Sequence, residues 1–139
     1  MNSSQPDILF IMADQWAAAQ LNCYGCPVPG VSPALDALAA SGTRYARCHT
    51  PSPLCCAARA SILTGRNTWQ LKEAVSHNGL FPSGFEVYPD LLEQAGYTLG
   101  LTGKGWGPGD FKASGRTRNP AGPSFDTFTQ AVPASGISS

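Results

Sequence analysis

The sequence lacks several features that would assign it quickly to a functional class. Charge of one sign is missing, because nine basic and nine acidic residues cancel. We therefore predict no nucleic-acid partner and no anionic membrane surface as a partner. No apolar run approaches the length of a bilayer span. The start "MNSSQPDILFIMAD" lacks a basic segment before a long apolar one, so no signal peptide is visible. We expect a cytoplasmic protein, or a periplasmic or secreted one if the true start lies upstream.

Histidine is scarce, and the cysteines do not have the spacing of a zinc site. The two histidines, His49 and His77, form no ligand pattern. Five cysteines are present: Cys23, Cys26, Cys48, Cys55 and Cys56. The first two have C-x-x-C spacing, but the last two are adjacent, which does not complete a zinc pattern. We expect the first three to be ordinary packed thiols. A thiol oxidoreductase stays as an alternative that rests on the C-x-x-C pair and on the adjacent Cys55 and Cys56.

Short apolar runs alternate with helix patterns along the chain. Strands are predicted at 7–13, 43–50 and 97–104. Helices are predicted at 32–42, roughly 58–65 and 88–96. The alternation indicates an α/β fold, a layered sandwich with a mostly parallel central sheet flanked by helices. Beyond Lys104 the chain is dense in glycine and proline, which predicts loop.

Reactive and charged residues lie at the ends of these predicted elements. Asp14 follows the first strand, Cys55 and Arg59 flank the start of the second helix, and Lys104 ends the last strand. In an open α/β sheet, sites gather at the carboxyl ends of the strands. A carboxylate can hold a cation, while arginine and lysine neutralise an anion. The combination predicts metal-assisted transfer from an anionic ester, above a positive helix end.

Each of these residues also has an ordinary structural interpretation. Asp14 would then be the N-cap of a helix over "QWAAAQL". Arg59 would be a solvated helix residue, and Lys104 a cation in a glycine-rich turn. Cys55 would be a core thiol, and His77 a surface residue. Taken singly these interpretations are favoured, so the functional prediction depends on the whole set.

The run Cys55-Cys56-Ala57-Ala58-Arg59, continued by "ASILTG", resembles the sulfatase signature, in which Cys-x-(Pro or Ala)-x-Arg precedes a helix ending in Thr-Gly. Cys55 alone fits, because counting from Cys56 puts Ala60 at the arginine position. The resemblance continues in "PDILFIMADQ", "SPALDALAASGTRYARCHTPSPLC" and "TGKGWG", in the family's order. It covers about residues 6 to 130.

The resemblance implies an alkaline-phosphatase-like fold of which the N-terminal part is present. Residues 1–139 are then the N-terminal portion of a sulfatase catalytic domain, with the recognisable elements over 6–104 and a truncated loop region over 105–139. Family members are much longer, and their second pair of metal ligands lies beyond the position of Ser139. We therefore expect little or no turnover from this chain alone.

The resemblance also implies roles for individual residues. The signature cysteine of the family, here Cys55, is oxidised to formylglycine by a maturation enzyme, and the hydrated aldehyde attacks sulfur. By position, Asp14 and Gln15, together with modified Cys55, match the ligands of a divalent cation, usually calcium. Arg59 matches the residue that supports the formylglycine hydrate. Lys104 matches the lysine that contacts sulfate.

The sequence departs from the family pattern at two positions, and it also carries a signal for the substrate. Gln15 stands where a second acid is common, and "GWG" follows Lys104 where a histidine is expected. His77, in "SHNGLF", is a candidate substrate contact. "GRNTWQL" and "GKGWGPGDF" resemble the branch of heparan N-sulfatases and bacterial glycan sulfatases, which implies an O-sulfated or N-sulfated sugar. A phosphonate or phosphate monoester hydrolase of the same superfamily, and a non-catalytic truncated remnant, stay as alternatives.

Overall fold

The computed structural model describes residues 5–125, which form helices and short 3-10 turns. The α-helices are α1 (Pro33–Ser41), α2 (Cys55–Thr64) and α3 (Tyr88–Gln94). The 3-10 turns are Ala18–Gln20, Asn22–Tyr24, Thr68–Gln70 and Lys72–Val75. The chain divides into two compact units, Met1–Cys48 and His49–Ser139. None of the helices in the described range combines the length and apolar character needed to cross a membrane.

The three predicted helices are confirmed, with one shifted start. In α1, Ser32 is the N-cap and Pro33 is the first helical residue, as predicted. In contrast, α2 begins at Cys55 rather than near Ala58. The residue before Cys55 is extended, and its carbonyl already accepts a hydrogen bond from the Ala58 N–H at 2.8 Å. Gly65 ends α2 with a φ of 66°, a left-handed conformation that glycine adopts without strain.

The predicted central sheet is not confirmed by the described residues. Residues 7–13, 43–50 and 97–104 form no strand, and the β pairing between residues 5 and 125 consists of two isolated parallel bridges, Leu80 with Asp110 and Leu101 with Ser124. The apolar side chains of the first run are exposed, with Leu9 at 84%. A strand needs a paired strand to satisfy its backbone N–H and C=O groups. In the described range, residues 7–13 and 43–50 have no paired strand, and residues 97–104 have only the bridge at Leu101.

Polar hydrogen bonds connect the elements of the N-terminal unit. Ser32 Oγ accepts the Asn22 N–H at 2.9 Å and donates to Asp36 Oδ1 at 3.0 Å. The same carboxylate oxygen accepts the Cys23 N–H at 2.8 Å. The Asn22 side chain adds two donated bonds and accepts the Val31 N–H at 3.1 Å. Ser32 is the sole buried residue among positions 5–48, so this unit has a polar interior rather than an apolar core.

An apolar core lies within the C-terminal unit. Its buried members are Cys56, Ala60, Leu63, Leu71, Ala74, Phe81, Phe85, Val87 and Trp106. The Phe81 ring meets Phe85 and Trp106 edge-on, with centroids 6.1 and 5.2 Å away. Because three residues of α2 (Cys56, Ala60 and Leu63) belong to this core, the core fixes the helix that carries Cys55.

The glycine- and proline-rich region beyond Lys104 is a loop, as predicted, and it is tied to α3 by ion pairs. Arg116 and Arg118 both donate to the Asp90 carboxylate, at 3.3 and 3.0 Å. Arg116 also donates to the Phe85 carbonyl at 2.6 Å. These contacts hold the loop against the core. The remainder of the predicted loop, residues 126–139, lies outside the described residues.

Candidate functional site

Cys55 is the first residue of α2 and is partly exposed. Leu54 before it is extended, with φ −122° and ψ 131°, so the helix begins at the cysteine. The unpaired N–H groups of a first helical turn carry partial positive charge. Cys55 therefore occupies a position that favours an anion or a group that develops negative charge.

His77 lies directly against Cys55. Its Nε2 atom is 2.8 Å from the Cys55 Sγ atom, although 22 residues separate the two along the chain. A tight turn carries the histidine, and the Gly79 N–H closes that turn on the Ser76 carbonyl at 3.1 Å. A Cβ at Gly79 would lie 1.8 Å from the Glu73 carbonyl oxygen, so a side chain there would force the turn open. The predicted contact of His77 with substrate stays a prediction.

Cys56 completes a close group with these two side chains. Its Sγ, the Cys55 Sγ and a His77 ring nitrogen all lie within 4.8 Å of one another. The structure thus brings one histidine to two cysteines, which the spacing in the sequence did not indicate. Cys56 itself is fully buried. Its thiol contacts the carbonyl oxygen of Pro108.

The surroundings of Cys56 keep its thiol protonated. Burial, the largest cause, and the neighbouring Cys55 raise the pKa of Cys56 from its ordinary value near 9.0 to about 11. Lys104 and Arg59 act in the opposite direction, because their positive charges favour a thiolate. Both cations therefore act electrostatically on the Cys56 thiol.

Arg59 is buried, which excludes its interpretation as a solvated helix residue. It is 5% exposed, one helical turn after Cys55. Its Nη1 donates to the carbonyl oxygens of Lys104 and Gly105, at 2.5 and 2.9 Å. The guanidinium thereby fixes the backbone of the segment that carries Lys104, whose own side chain is exposed.

Trp106 and Asn119, to which the sequence prediction gave no role, form further hydrogen bonds that hold the same segment. The Asn119 side chain accepts the Trp106 N–H and donates to the Trp106 carbonyl, both at 2.9 Å. The Trp106 indole N–H donates to the Cys56 carbonyl at 3.1 Å. A Cβ at Gly105 would lie 2.4 Å from Asn119 Oδ1, so a side chain there would displace Asn119 from these hydrogen bonds. No local pattern around position 119 signals this contact in the sequence.

Asp14 and Gln15 lie in the N-terminal unit, whereas Cys55 lies in the C-terminal unit. The predicted cation ligands are therefore divided between the two units. Asp14 and Gln15 are exposed, and their carboxylate and amide oxygens are hard donors that suit a calcium ion. Gln15 has a φ of 56°, an uncommon conformation for a residue with a side chain and one found at ligand-binding positions. Asp14 is no α-helical N-cap, since a 3-10 turn begins at Ala18.

The chain matches known proteins over most of its length. The family model described as Sulfatase matches residues 6–135. Human arylsulfatase D is 33% identical to this chain, in an alignment that covers 91% of this chain and 23% of the relative. N-acetylgalactosamine-6-O-sulfatase of Bacteroides thetaiotaomicron is 30% identical over 77% of this chain and 22% of its own length. Human arylsulfatase A is 35% identical over 71% of this chain and 20% of its own length.

The chain thus spans roughly a fifth of the length of the curated relatives that it matches. No solved structure matches it.

Proposed function

Because this chain belongs to the sulfatase family, we propose that it is the N-terminal portion of a sulfatase catalytic domain that hydrolyses sulfate esters or N-sulfate groups on a sugar. The observation that carries the proposal is the arrangement around Cys55. A partly exposed thiol begins a helix, a histidine lies against it, and a buried arginine holds a lysine segment nearby. This arrangement falls within the matched residues 6–135. The family implies an alkaline-phosphatase-like sheet, whose pairing would need other parts of a longer protein.

Cys55 is the proposed site of conversion to formylglycine by a maturation enzyme. The hydrated aldehyde supplies the nucleophile that takes the sulfuryl group, and its second hydroxyl allows sulfate to be released. The position of Cys55 at the start of α2 directs the positive helix end toward the negative charge of a sulfate. The contact at 2.8 Å lets His77 exchange a proton with the group at position 55.

Lys104 and Arg59 are the proposed cationic residues of the site. The exposed Lys104 ammonium binds the sulfate oxygens and neutralises their charge. Arg59 fixes the backbone of the Lys104 segment through two carbonyls and contributes a buried positive charge near position 55. Removing Arg59 would therefore affect both the charge of the site and the placement of Lys104.

Asp14 and Gln15 are the proposed protein ligands of a divalent cation, calcium by preference, together with the oxygen that replaces the Cys55 thiol. Oxygen donors suit calcium, and a bound calcium would polarise a sulfate oxygen. The donor set and the left-handed backbone of Gln15 support this assignment. The sugar substrate is supported by relatives named for N-acetylgalactosamine 6-sulfate and N-acetylglucosamine 6-sulfate hydrolysis.

The first test is the mass of one tryptic peptide from protein made in its own host. Trypsin releases residues 48–59, "CHTPSPLCCAAR", which contain three of the cysteines. We expect the mass change of a CH₂SH group becoming CHO, located at Cys55 by fragmentation. Cys48 and Cys56 in the same peptide are internal controls and should keep their thiols. Unmodified thiol at all three positions, in a host that makes formylglycine elsewhere, would overturn the proposal.

The second test is turnover by the whole protein after maturation, on a sulfated sugar and on a matched phosphate ester. We expect hydrolysis of the sulfate and its loss in Cys55→Ala. The exposed Cys48→Ala is the control and should leave turnover unchanged. Hydrolysis of the phosphate ester alone would replace the proposal with a phosphate monoester hydrolase.

A further inference from the structure

We propose that the chain, while Cys55 is still a thiol, binds a thiophilic divalent cation such as Zn²⁺ through Cys55, Cys56 and His77. The site shares only position 55 with the proposed calcium site, and there the donor is a thiol sulfur rather than an oxygen. Two sulfur atoms and one imidazole nitrogen lie within 4.8 Å of one another. These are the donors that zinc prefers, whereas calcium prefers oxygen.

The separations of the donor atoms are close to those of a metal centre. With zinc–ligand bonds of about 2.0–2.3 Å at a tetrahedral angle, sulfur and nitrogen ligands lie about 3.6 Å apart. The Cys55 Sγ and His77 Nε2 atoms are 2.8 Å apart. They must therefore move apart by about 0.8 Å to admit an ion. The His77 side chain is exposed and has room to make that adjustment.

The backbone of the site is fixed before any ion binds. Cys55 and Cys56 are the first two residues of α2, and the Trp106 indole holds the Cys56 carbonyl at 3.1 Å. The Cys56 thiol exchanges its contact with the Pro108 carbonyl for the ion. Binding as thiolates releases the thiol protons to the buffer, and two thiolates balance the two positive charges of the ion. Arg59 and Lys104 therefore face no added net charge.

Three protein ligands leave one coordination position for water on the exposed side of His77. The metal site itself does not depend on sulfatase activity. Its consequence does rest on the proposed function: a metal-bound Cys55 sulfur cannot be oxidised to formylglycine. Zinc would then delay maturation, and the two states of Cys55 would exclude each other.

The test is a titration of the unmodified 139-residue chain, made in a host without the maturation enzyme, with Co²⁺ as the spectroscopic probe. The background variant carries Cys23→Ser, Cys26→Ser and Cys48→Ser, which removes the other thiols. We expect one Co²⁺ per chain, with sulfur-to-cobalt charge-transfer absorption and tetrahedral ligand-field bands. Added Zn²⁺ should remove these bands by competition.

Two matched variants test the ligands in that background. His77→Gln is expected to weaken Co²⁺ binding tenfold or more, because loss of a direct ligand exceeds the effect of an outer-sphere change. His49→Gln, at the chain's other histidine, should leave the titration unchanged. His77 is exposed, so its replacement leaves the core intact.

Two results would overturn the proposal: no sulfur-to-cobalt absorption in the background variant, or equal affinity in His77→Gln and His49→Gln. Neither result bears on the tryptic peptide from matured protein. Failure of the metal site and failure of the sulfatase proposal are therefore distinguishable.

Discussion

The two units of this chain are stabilised by different interactions. In the N-terminal unit, side-chain hydrogen bonds centred on Asn22 and Asp36 connect a short helix to a 3-10 turn, and the apolar run over 7–13 lies exposed. In the C-terminal unit, an aromatic and aliphatic core lies under α2 and holds Cys55 in place. The difference shows that the candidate reactive group rests on the part of the chain that has its own core.

The contrast also separates local from non-local folding information. A helix satisfies its backbone N–H and C=O groups within its own residues, so α2 needs no distant backbone partner. A buried strand depends on neighbouring strands, and the described residues provide none for the run over 7–13.

The largest expected effect tests the core directly. Phe81→Ala should lower the free energy of unfolding by about 3–5 kcal/mol, because Phe81 is fully buried between Phe85 and Trp106. Leu9→Ala, at a residue that is 84% exposed, should change it by less than about 0.5 kcal/mol. Urea unfolding followed by circular dichroism measures both. Equal losses in the two variants would contradict the contrast between the units.

A smaller effect is expected from the polar interior of the N-terminal unit. Asn22→Ala removes three side-chain hydrogen bonds and should cost about 1 kcal/mol, because their partners are partly exposed and regain water. Amide hydrogen exchange at Val31 should become faster, since its N–H loses the Asn22 acceptor. Asn78→Ala, at an exposed position, is the control. Unchanged exchange at Val31 would mean that other contacts hold this unit.

The remaining expected effect is the pH dependence contributed by Cys56. Its pKa is raised in the folded chain, so the folded state holds the proton more tightly than the unfolded state. The contribution is fully present below pH 9 and is lost as pH rises toward 11. The urea midpoint should fall over this window in the parent chain, and the fall should be smaller in Cys56→Ala. Identical pH profiles would show that the buried thiol is not the cause.

Local sequence signals predicted the helices well. The serine–proline start at Ser32 and the glycine end at Gly65 identify α1 and α2, because capping depends on a few neighbouring residues. The start of α2 was misplaced, since cysteine and alanine at its first positions give no capping signal. The sheet could not be predicted reliably from local patterns, because strand pairing joins residues that are far apart in the chain.

The candidate site was predictable in part for the same reason. Cys55 and Arg59 lie one helical turn apart in α2, but the predicted helix contained Arg59 and began after Cys55. The contact of His77 with Cys55 spans 22 residues and depends on a tight turn. The bonds from Asn119 to Trp106 likewise depend on tertiary structure. The spacing of residues in the sequence does not predict contacts of this kind.

The burial of Trp106 makes it a natural optical reporter of the candidate site. It is 2% exposed, whereas Trp16 and Trp69 are 47% and 81% exposed. A water-soluble quencher such as iodide should therefore extinguish the emission of the two exposed indoles first. The residual, blue-shifted fluorescence would come from the ring that is hydrogen-bonded to the Cys56 carbonyl. Conversion of Cys55, or metal binding beside it, could thus be followed by light without attaching a label.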